Sequence, residues 1–153
     1  MIELADALRA EVERAAARLR ELGDAEVARD RGAGKWTKKE ILGHLIDSAA
    51  NNHQRFVRAQ AADPFVWPGY EQGAWVAANR YRLRPWGELV ELWAALNRHV
   101  AAVIEGVPLE RLPTRCAIGG GEPVTLGWLM TDYLRHLRHH LAQIVGAGHE
   151  GGV

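Results

Sequence analysis

The sequence predicts an all-α protein: a four-helix bundle with a long aromatic-rich connection between its second and third helices. Two observations lead to this prediction. Apolar residues recur at steps of three and four in four segments of about 20 residues, which is the spacing of one helical face. Strand-like alternation of apolar and polar residues is nearly absent. Four amphipathic helices of similar length pack most economically as a bundle, and we assign residues 1–153 to one domain of ordinary size.

The first two predicted helices occupy residues 3–22 and 38–62. Between them, the segment 24–36 is polar and contains two glycines, and its part "RGAGKW" is expected to be a loop. Thr37, with Glu40 three residues later, is typical of a capping box, so the second helix begins directly after Thr37. An Asp-Pro pair follows this helix and ends it, because proline disfavours a helical residue before it.

The connection over residues 63–85 holds three prolines, two tryptophans and two tyrosines. A connection of this length is usually functional or contains a short helix of its own, which we expect within 71–81. A third helix is predicted over 86–105, followed by a connection whose glycines suggest a short hairpin. The fourth helix occupies 125–145 and is capped by its first residue, a threonine. The glycine-rich tail, 146–153, is expected to be frayed.

Charge and composition exclude several classes of protein. Lysine plus arginine equals aspartate plus glutamate at 19 each, and no basic stripe is present, so we expect no nucleic-acid partner. No apolar run approaches the roughly 20 residues that span a bilayer, and the charged N-terminal segment is no secretory signal. A single cysteine, Cys116, excludes an intramolecular disulfide and a multi-cysteine metal site. We therefore expect a cytoplasmic protein that does not bind membranes.

Three histidines lie close together on the fourth predicted helix: His136, His139 and His140. At about 100° per residue, His140 falls on the apolar seam of this helix and His136 about 40° to its side. The side chains of such an i, i+4 pair can converge on one metal ion. His139 points about 60° away from His136 in the other direction and is expected to be solvated. Buried histidines satisfied by hydrogen bonds are also common, so the pair alone leaves both interpretations open.

The second predicted helix offers a further candidate ligand. His44, Ser48, Asn51 and Arg55 form a polar stripe along one flank of its apolar face. This stripe is either a solvated edge or the wall of a site. His44 lies early in the helix, where it can lean across a helix junction without being exposed. His53 is expected in the core or as a hydrogen-bond donor beside the site. His99 and His149 are expected on the surface.

Two stretches carry a resemblance to a known family. "WTKKEILGHLIDSAANNHQRF" and "TLGWLMTDYLRHLRHHLAQI" resemble the DinB/YfiT-like superfamily of four-helix-bundle metalloproteins, and the likeness covers most of the chain. Members with this pattern carry a metal on one histidine of the second helix and an H-x3-H pair of the fourth. The resemblance implies that His44, His136 and His140 hold one divalent ion, which is zinc, nickel or iron. It also implies a homodimer.

Three imidazoles leave open positions on such an ion, which is typical of a catalytic rather than a structural site. The nucleophile would be a metal-bound water or a metal-held thiolate. The resemblance thus implies an enzyme acting on a small-molecule substrate, and we favour transfer of a low-molecular-weight thiol narrowly over hydrolysis. The alternative is a non-catalytic metal-binding bundle of a stress response.

Several neighbouring residues are candidates for supporting roles. Asp47 and Asp132 are the carboxylates available to accept hydrogen bonds from the imidazoles. The resemblance places the aromatic connection near the site, so Trp75 is expected to help roof the pocket. Three polar side chains lie on flanks from which they can reach an anionic group of a substrate: Asn51, Arg55 and Gln143.

Overall fold

The computed structural model describes residues 1–146 and is a four-helix bundle, which confirms the predicted fold class. None of its helices is long and apolar enough to cross a membrane. The prediction of a frayed tail, with His149, concerns residues that lie outside the described part of the chain beyond Gly146. In chain order the helices are α1 (Ile2–Arg20), α2 (Asp24–Val27), α3 (Lys38–Ala59), α4 (Gln72–Asn79), α5 (Trp86–Glu105) and α6 (Leu126–Val145).

The four long helices pack around one core. α1 contacts α5 and α6, and α3 contacts the same two helices. The order around the bundle is therefore α1, α5, α3, α6, so that α3 and α6 are direct neighbours although α5 lies between them in sequence. Large side chains from every long helix are fully buried, and each contributes about 1.5–3 kcal/mol to the hydrophobic stabilisation. Among them are Leu8, Phe56, Trp93 and Met130.

Side-chain caps fix the starts of α3 and α6. The Thr37 hydroxyl accepts a hydrogen bond from Glu40 N, and the Glu40 carboxylate accepts one from Thr37 N at 2.9 Å, as the predicted capping box requires. Thr125 accepts a hydrogen bond from Trp128 N at 3.1 Å, which confirms the second predicted cap. Each cap satisfies otherwise free backbone donors and sets the residue at which its helix begins. α3 ends at Ala59, slightly earlier than predicted.

A small sheet joins the two long connections. Its strands are β1 (Phe65–Trp67), β2 (Arg115–Ile118) and β3 (Val124–Thr125), with β1 parallel to β2 and β2 antiparallel to β3. The β2–β3 hairpin agrees with the turn expected from the glycines, and Gly119 and Gly120 adopt positive φ of 61° and 76° there. β1 was not predicted. The sheet holds the aromatic connection against the segment that leads into α6.

The segment 24–36 contains a short helix that was not predicted, whereas its part 31–36 is a loop as expected. This helix is α2, a single helical turn whose Val27 is fully buried in the core. One turn is too short to show a helical period in the sequence, and its position depends on the contact that Val27 makes after folding. The short helix expected within 71–81 is confirmed as α4.

Candidate metal centre

His44 lies in the second turn of α3 and is completely buried. The indole of Trp36 packs beside its ring, with 5.1 Å between the ring centroids. Trp36 directly precedes the capping residue Thr37, a position where a hydrophobic side chain often fixes the entry of the chain into a helix. This contact was not predicted from the sequence. An apolar residue directly before a capping box often packs against the start of its helix, and Trp36 occupies that position.

His136 and His140 lie one turn apart on α6 and are half-buried. Their ring centroids are 4.5 Å apart. Both rings face α3, where the centroid of His44 lies 5.1 Å from that of His136 and 4.7 Å from that of His140. The three side chains singled out in the sequence are thus brought together at the junction of α3 and α6.

The spacing of the ring nitrogens fits a single divalent ion. The Nε2 atoms of His44 and His136 are 3.2 Å apart. One nitrogen from each of the three histidines lies within 4.8 Å of the other two. Zinc–nitrogen distances of about 2.0–2.1 Å in tetrahedral geometry correspond to nitrogens about 3.3–3.4 Å apart. The His44–His136 distance already matches this spacing, whereas the group as a whole spans up to 4.8 Å.

The protonation of the three rings also suits a metal. Burial lowers the pKa of His44 to about 4, and the nearby His140 and His136 lower it further in the same direction. Burial lowers the pKa of His136 to about 4 as well, again with help from His140. Burial lowers the pKa of His140, against the opposing effect of its hydrogen bond with Gln143. Neutral imidazoles keep a free lone pair, which a metal ion requires.

Gln143 orients His140. Its Oε1 lies 3.2 Å from His140 Nδ1, and an amide oxygen can only accept, so Nδ1 carries the proton and Nε2 keeps its lone pair. The amide nitrogen of Gln143 lies 3.2 Å from Nε2 of the exposed His139. We expected a carboxylate to hydrogen-bond one of the three histidines. In the structure, the side-chain amide of Gln143 hydrogen-bonds His140 instead.

Within residues 1–146, neither expected carboxylate forms a hydrogen bond with an imidazole, which corrects the prediction that they accept hydrogen bonds from the rings. Asp47 Oδ1 accepts hydrogen bonds from the Tyr81 hydroxyl at 2.6 Å and from Asn79 Nδ2 at 3.0 Å, so it ties α3 to the aromatic connection. Burial raises the pKa of Asp47 to about 6, and the Tyr81 hydrogen bond acts in the opposite direction. Asp132 is held by Arg135 on the surface of α6. Among the described residues, the buried Nδ1 of His44 has no hydrogen-bond partner.

Two adjoining clefts open beside the histidines, and Gly69 and Tyr70 form their common wall. The inner cleft has a volume of about 250 Å³ and reaches His136. The outer cleft has a volume of about 490 Å³. Polar side chains that line the inner cleft include Ser48, Asn52, Arg55, Tyr70, Gln72 and Asp132. The side chains that line the outer cleft include Asn51, Gln54, Trp67, Tyr70 and Trp75.

The residues that line the two clefts show where the aromatic connection lies relative to the histidines. Tyr70 is the aromatic residue that the connection contributes to the inner cleft, whereas Trp75 lies farther out, packed against Tyr70 with 5.1 Å between ring centroids. The polar stripe of α3 is not a solvated edge: Ser48 and Arg55 are buried, and Asn51 is half-buried with its amide bonded to Asp47 O. The connection covers this stripe.

A second pair of histidines was not predicted. His53 on α3 and His99 on α5 have their Nε2 atoms 3.2 Å apart. His99 is exposed, and the pair is not part of a group of three ligands among the described residues. Two surface histidines make a much weaker site than three converging ones.

Comparisons with known proteins agree with this architecture. No curated protein matches the chain in sequence. Among solved structures, the chain is similar to YfiT from Bacillus subtilis, described as "a probable metal-dependent hydrolase with an unusual four-helix bundle topology". The TM-score is 0.76 at 20% identity, over 94% of this chain and 81% of that chain. At this identity the likeness shows the shared fold. The model of the DinB superfamily matches residues 3–144, and the chain therefore belongs to this superfamily.

Proposed function

We propose that this protein is a divalent-metal-dependent enzyme that acts on a small-molecule substrate. The observation that carries the proposal is the convergence of three neutral imidazoles, from His44, His136 and His140, of which His136 lines the inner cleft. Imidazole suits zinc, nickel and iron alike, so the ion is one of these three.

Three protein ligands leave a position free, as in catalytic rather than structural sites. When bound, a divalent ion of this kind lowers the pKa of water or of a thiol toward neutrality. The chain supplies the rest. His44 is held rigidly in the core by α3, His140 is oriented by Gln143, and His136 opens onto the inner cleft, from which a substrate would approach. Tyr70, from the aromatic connection, lines the same cleft.

Hydrolysis is the first candidate reaction. YfiT, which shares the fold over most of both chains, is described as a probable metal-dependent hydrolase. Hydrolysis requires only one organic substrate, and the inner cleft of about 250 Å³ is slightly smaller than pockets for drug-sized ligands, which are about 300–1,000 Å³. An ester or amide of modest size fits this space.

Transfer of a low-molecular-weight thiol is the second candidate, and the paired clefts favour it. A transfer reaction needs room for both a thiol and an electrophile, and the inner and outer clefts meet at Gly69 and Tyr70. The thiol would have to come from a co-substrate, because Cys116 is fully buried in β2 and lines neither cleft.

Turnover by the metal-loaded protein tests these candidates. The protein, purified without a histidine tag, is loaded with zinc, nickel or iron(II) and assayed against ester and amide panels, and against thiols paired with electrophiles. His140→Ala should abolish turnover, whereas His139→Ala, which removes a neighbouring exposed histidine, should leave most of it. Activity that survives His140→Ala would refute the site. Metal uptake without turnover on either panel would favour the non-catalytic metal-binding bundle.

Two further expectations from the sequence stay predictions: a cytoplasmic location and a homodimer. Apolar side chains exposed on the chain, among them Trp128 at 51% and Leu92 at 42%, are compatible with a contact between two copies. Light scattering coupled to size-exclusion chromatography would distinguish the mass of a dimer from the 17.0 kDa of a single chain.

A further inference from the structure

Arg55 is a buried cation without a buried anion beside it. The side chain lies on α3, is 9% exposed, and lines the inner cleft together with His136. One nitrogen, Nη1, donates to Asn52 Oδ1 at 3.3 Å, while the buried Nε has no hydrogen-bond partner. Among the ion pairs of residues 1–146, none includes Arg55.

Such an arrangement is costly unless a ligand completes it. Removing a charged group from water costs several kcal/mol, and buried charges are therefore usually paired. Burial lowers the pKa of Arg55, but a guanidinium stays protonated in proteins, so the positive charge remains in the cleft. The other charged group of the cleft, Asp132, is already held by Arg135.

We propose that Arg55 binds an oxyanion, the carboxylate or phosphate group of the substrate, in the inner cleft. The planar guanidinium can donate two parallel hydrogen bonds to either group. Gln72 and Tyr70 belong to the same lining, and the Tyr70 ring centroid lies 5.8 Å from the guanidinium carbon. This proposal rests on the proposed function, because it makes Arg55 a specificity-determining residue of the same site.

The adjoining outer cleft indicates what the rest of the ligand looks like. Trp67 and Trp75 line it, and Tyr70 separates it from the inner cleft. Aromatic walls bind apolar groups, whereas the inner cleft is dominated by polar side chains. The substrate class is therefore a small amphipathic anion, with its charged end at Arg55 and an apolar part toward the two tryptophans.

Direct binding of two simple oxyanions tests the proposal independently of turnover. Benzoate and inorganic phosphate are titrated calorimetrically against the wild type and the His140→Ala variant, with chloride at matched ionic strength as the reference. Arg55→Gln should weaken binding of the preferred anion at least about tenfold, as expected for loss of charge-assisted hydrogen bonds. Arg58→Gln is the matched control for phosphate, which has no apolar part to reach Trp67: Arg58 lies one turn away on α3, exposed and over Trp67, and should leave the Kd for phosphate unchanged.

The possible outcomes are distinct. Preference for benzoate identifies a carboxylate, and preference for phosphate identifies a phosphate ester. An equal Kd in the wild type and Arg55→Gln would overturn the proposal. An absence of binding of either anion by the wild type would also overturn it, and this result does not depend on whether Arg55→Gln is stable. Arg55-dependent binding by a wild type that, loaded with metal, shows no turnover on either panel would leave this inference standing and count against the proposed enzyme. Turnover that does not depend on Arg55 would support the proposed enzyme and count against the role of Arg55.

Discussion

The Nε2 atoms of His44 and His136 lie 3.2 Å apart although the residues are 92 positions apart in sequence. The contact depends on the packing of α3 against α6 and on the two threonine caps that fix where these helices begin. Without an ion, the N–H of one of these neutral rings donates a hydrogen bond to the other ring. With an ion, both lone pairs would point at the same atom. The pair is therefore the part of the fold on which the proposed metal binding most directly depends.

The metal content of the protein should depend on the three converging histidines and not on the pair formed by His53 and His99. Protein purified without a histidine tag should contain about one equivalent of zinc, nickel or iron, because three neutral imidazoles bind such ions well. The double variant His44→Ala/His140→Ala should lose it, and elemental analysis measures both. His53→Ala/His99→Ala is the control and should keep the ion. Equal metal loss in the two double variants would contradict the assignment of the site.

The metal-free protein should lose stability as the pH falls below about 6.5. Histidine has a pKa near 6.5 when unfolded, whereas burial lowers the pKa of His44 to about 4 in the folded state. Between these values the unfolded chain binds more protons, so the free energy of unfolding decreases as the pH decreases. For the fully buried His44 this loss is of the order of 3 kcal/mol at most.

Asp47 acts in the opposite direction, so the comparison must isolate the histidine. Its folded pKa of about 6 lies above the unfolded value, which favours the folded state as the pH falls through 6. Urea unfolding of the metal-free wild type and of His44→Leu, at several pH values from about 7.5 to about 4.5, separates the two effects. The stability of the wild type relative to the variant should fall toward low pH. Parallel curves would mean that His44 titrates normally.

Much of the site could be predicted from the sequence because it depends on helical phase. Caps at Thr37 and Thr125 and the i, i+4 spacing of His136 and His140 are local features, and the resemblance to the DinB family added His44. Each of these features is set within one or two helical turns. The structure places the three histidines together, as the sequence reasoning expected.

The surroundings of the site could not be predicted because they depend on contacts between distant segments. β1 is three residues long and pairs with β2 about 50 positions later, so no alternation marks it in the sequence. Whether Arg55 is solvated or buried depends on how the connection held by this sheet covers α3. The same holds for Asp47, whose partners Asn79 and Tyr81 come from that connection.

Gly43→Ala should destabilise the protein although it lies on a helix. A Cβ added at Gly43 would come within 2.1 Å of Cδ2 of the Tyr81 ring, and that ring is held by its hydrogen bond to Asp47. Overpacking of this kind costs about 1–3 kcal/mol or more. Gly87→Ala in α5 is the control, because its Cβ would meet nothing and alanine favours a helix by about 0.5–1 kcal/mol. Chemical unfolding should therefore shift in opposite directions, and similar shifts would contradict the packing argument.

Tyr81→Phe should cost more stability at about pH 8 than at about pH 5, since Asp47 is ionised only at the higher value. The lost hydrogen bond, 2.6 Å long to a buried carboxylate, is expected to be worth about 1.5–3 kcal/mol when the acceptor is charged. In an Asp47→Asn background the acceptor is neutral at every pH, so the cost of Tyr81→Phe should be small and constant. Urea unfolding of the four proteins at both pH values gives the coupling energy of this pair. A coupling energy that does not change with pH would mean that Asp47 is not the group whose ionisation the Tyr81 hydroxyl stabilises.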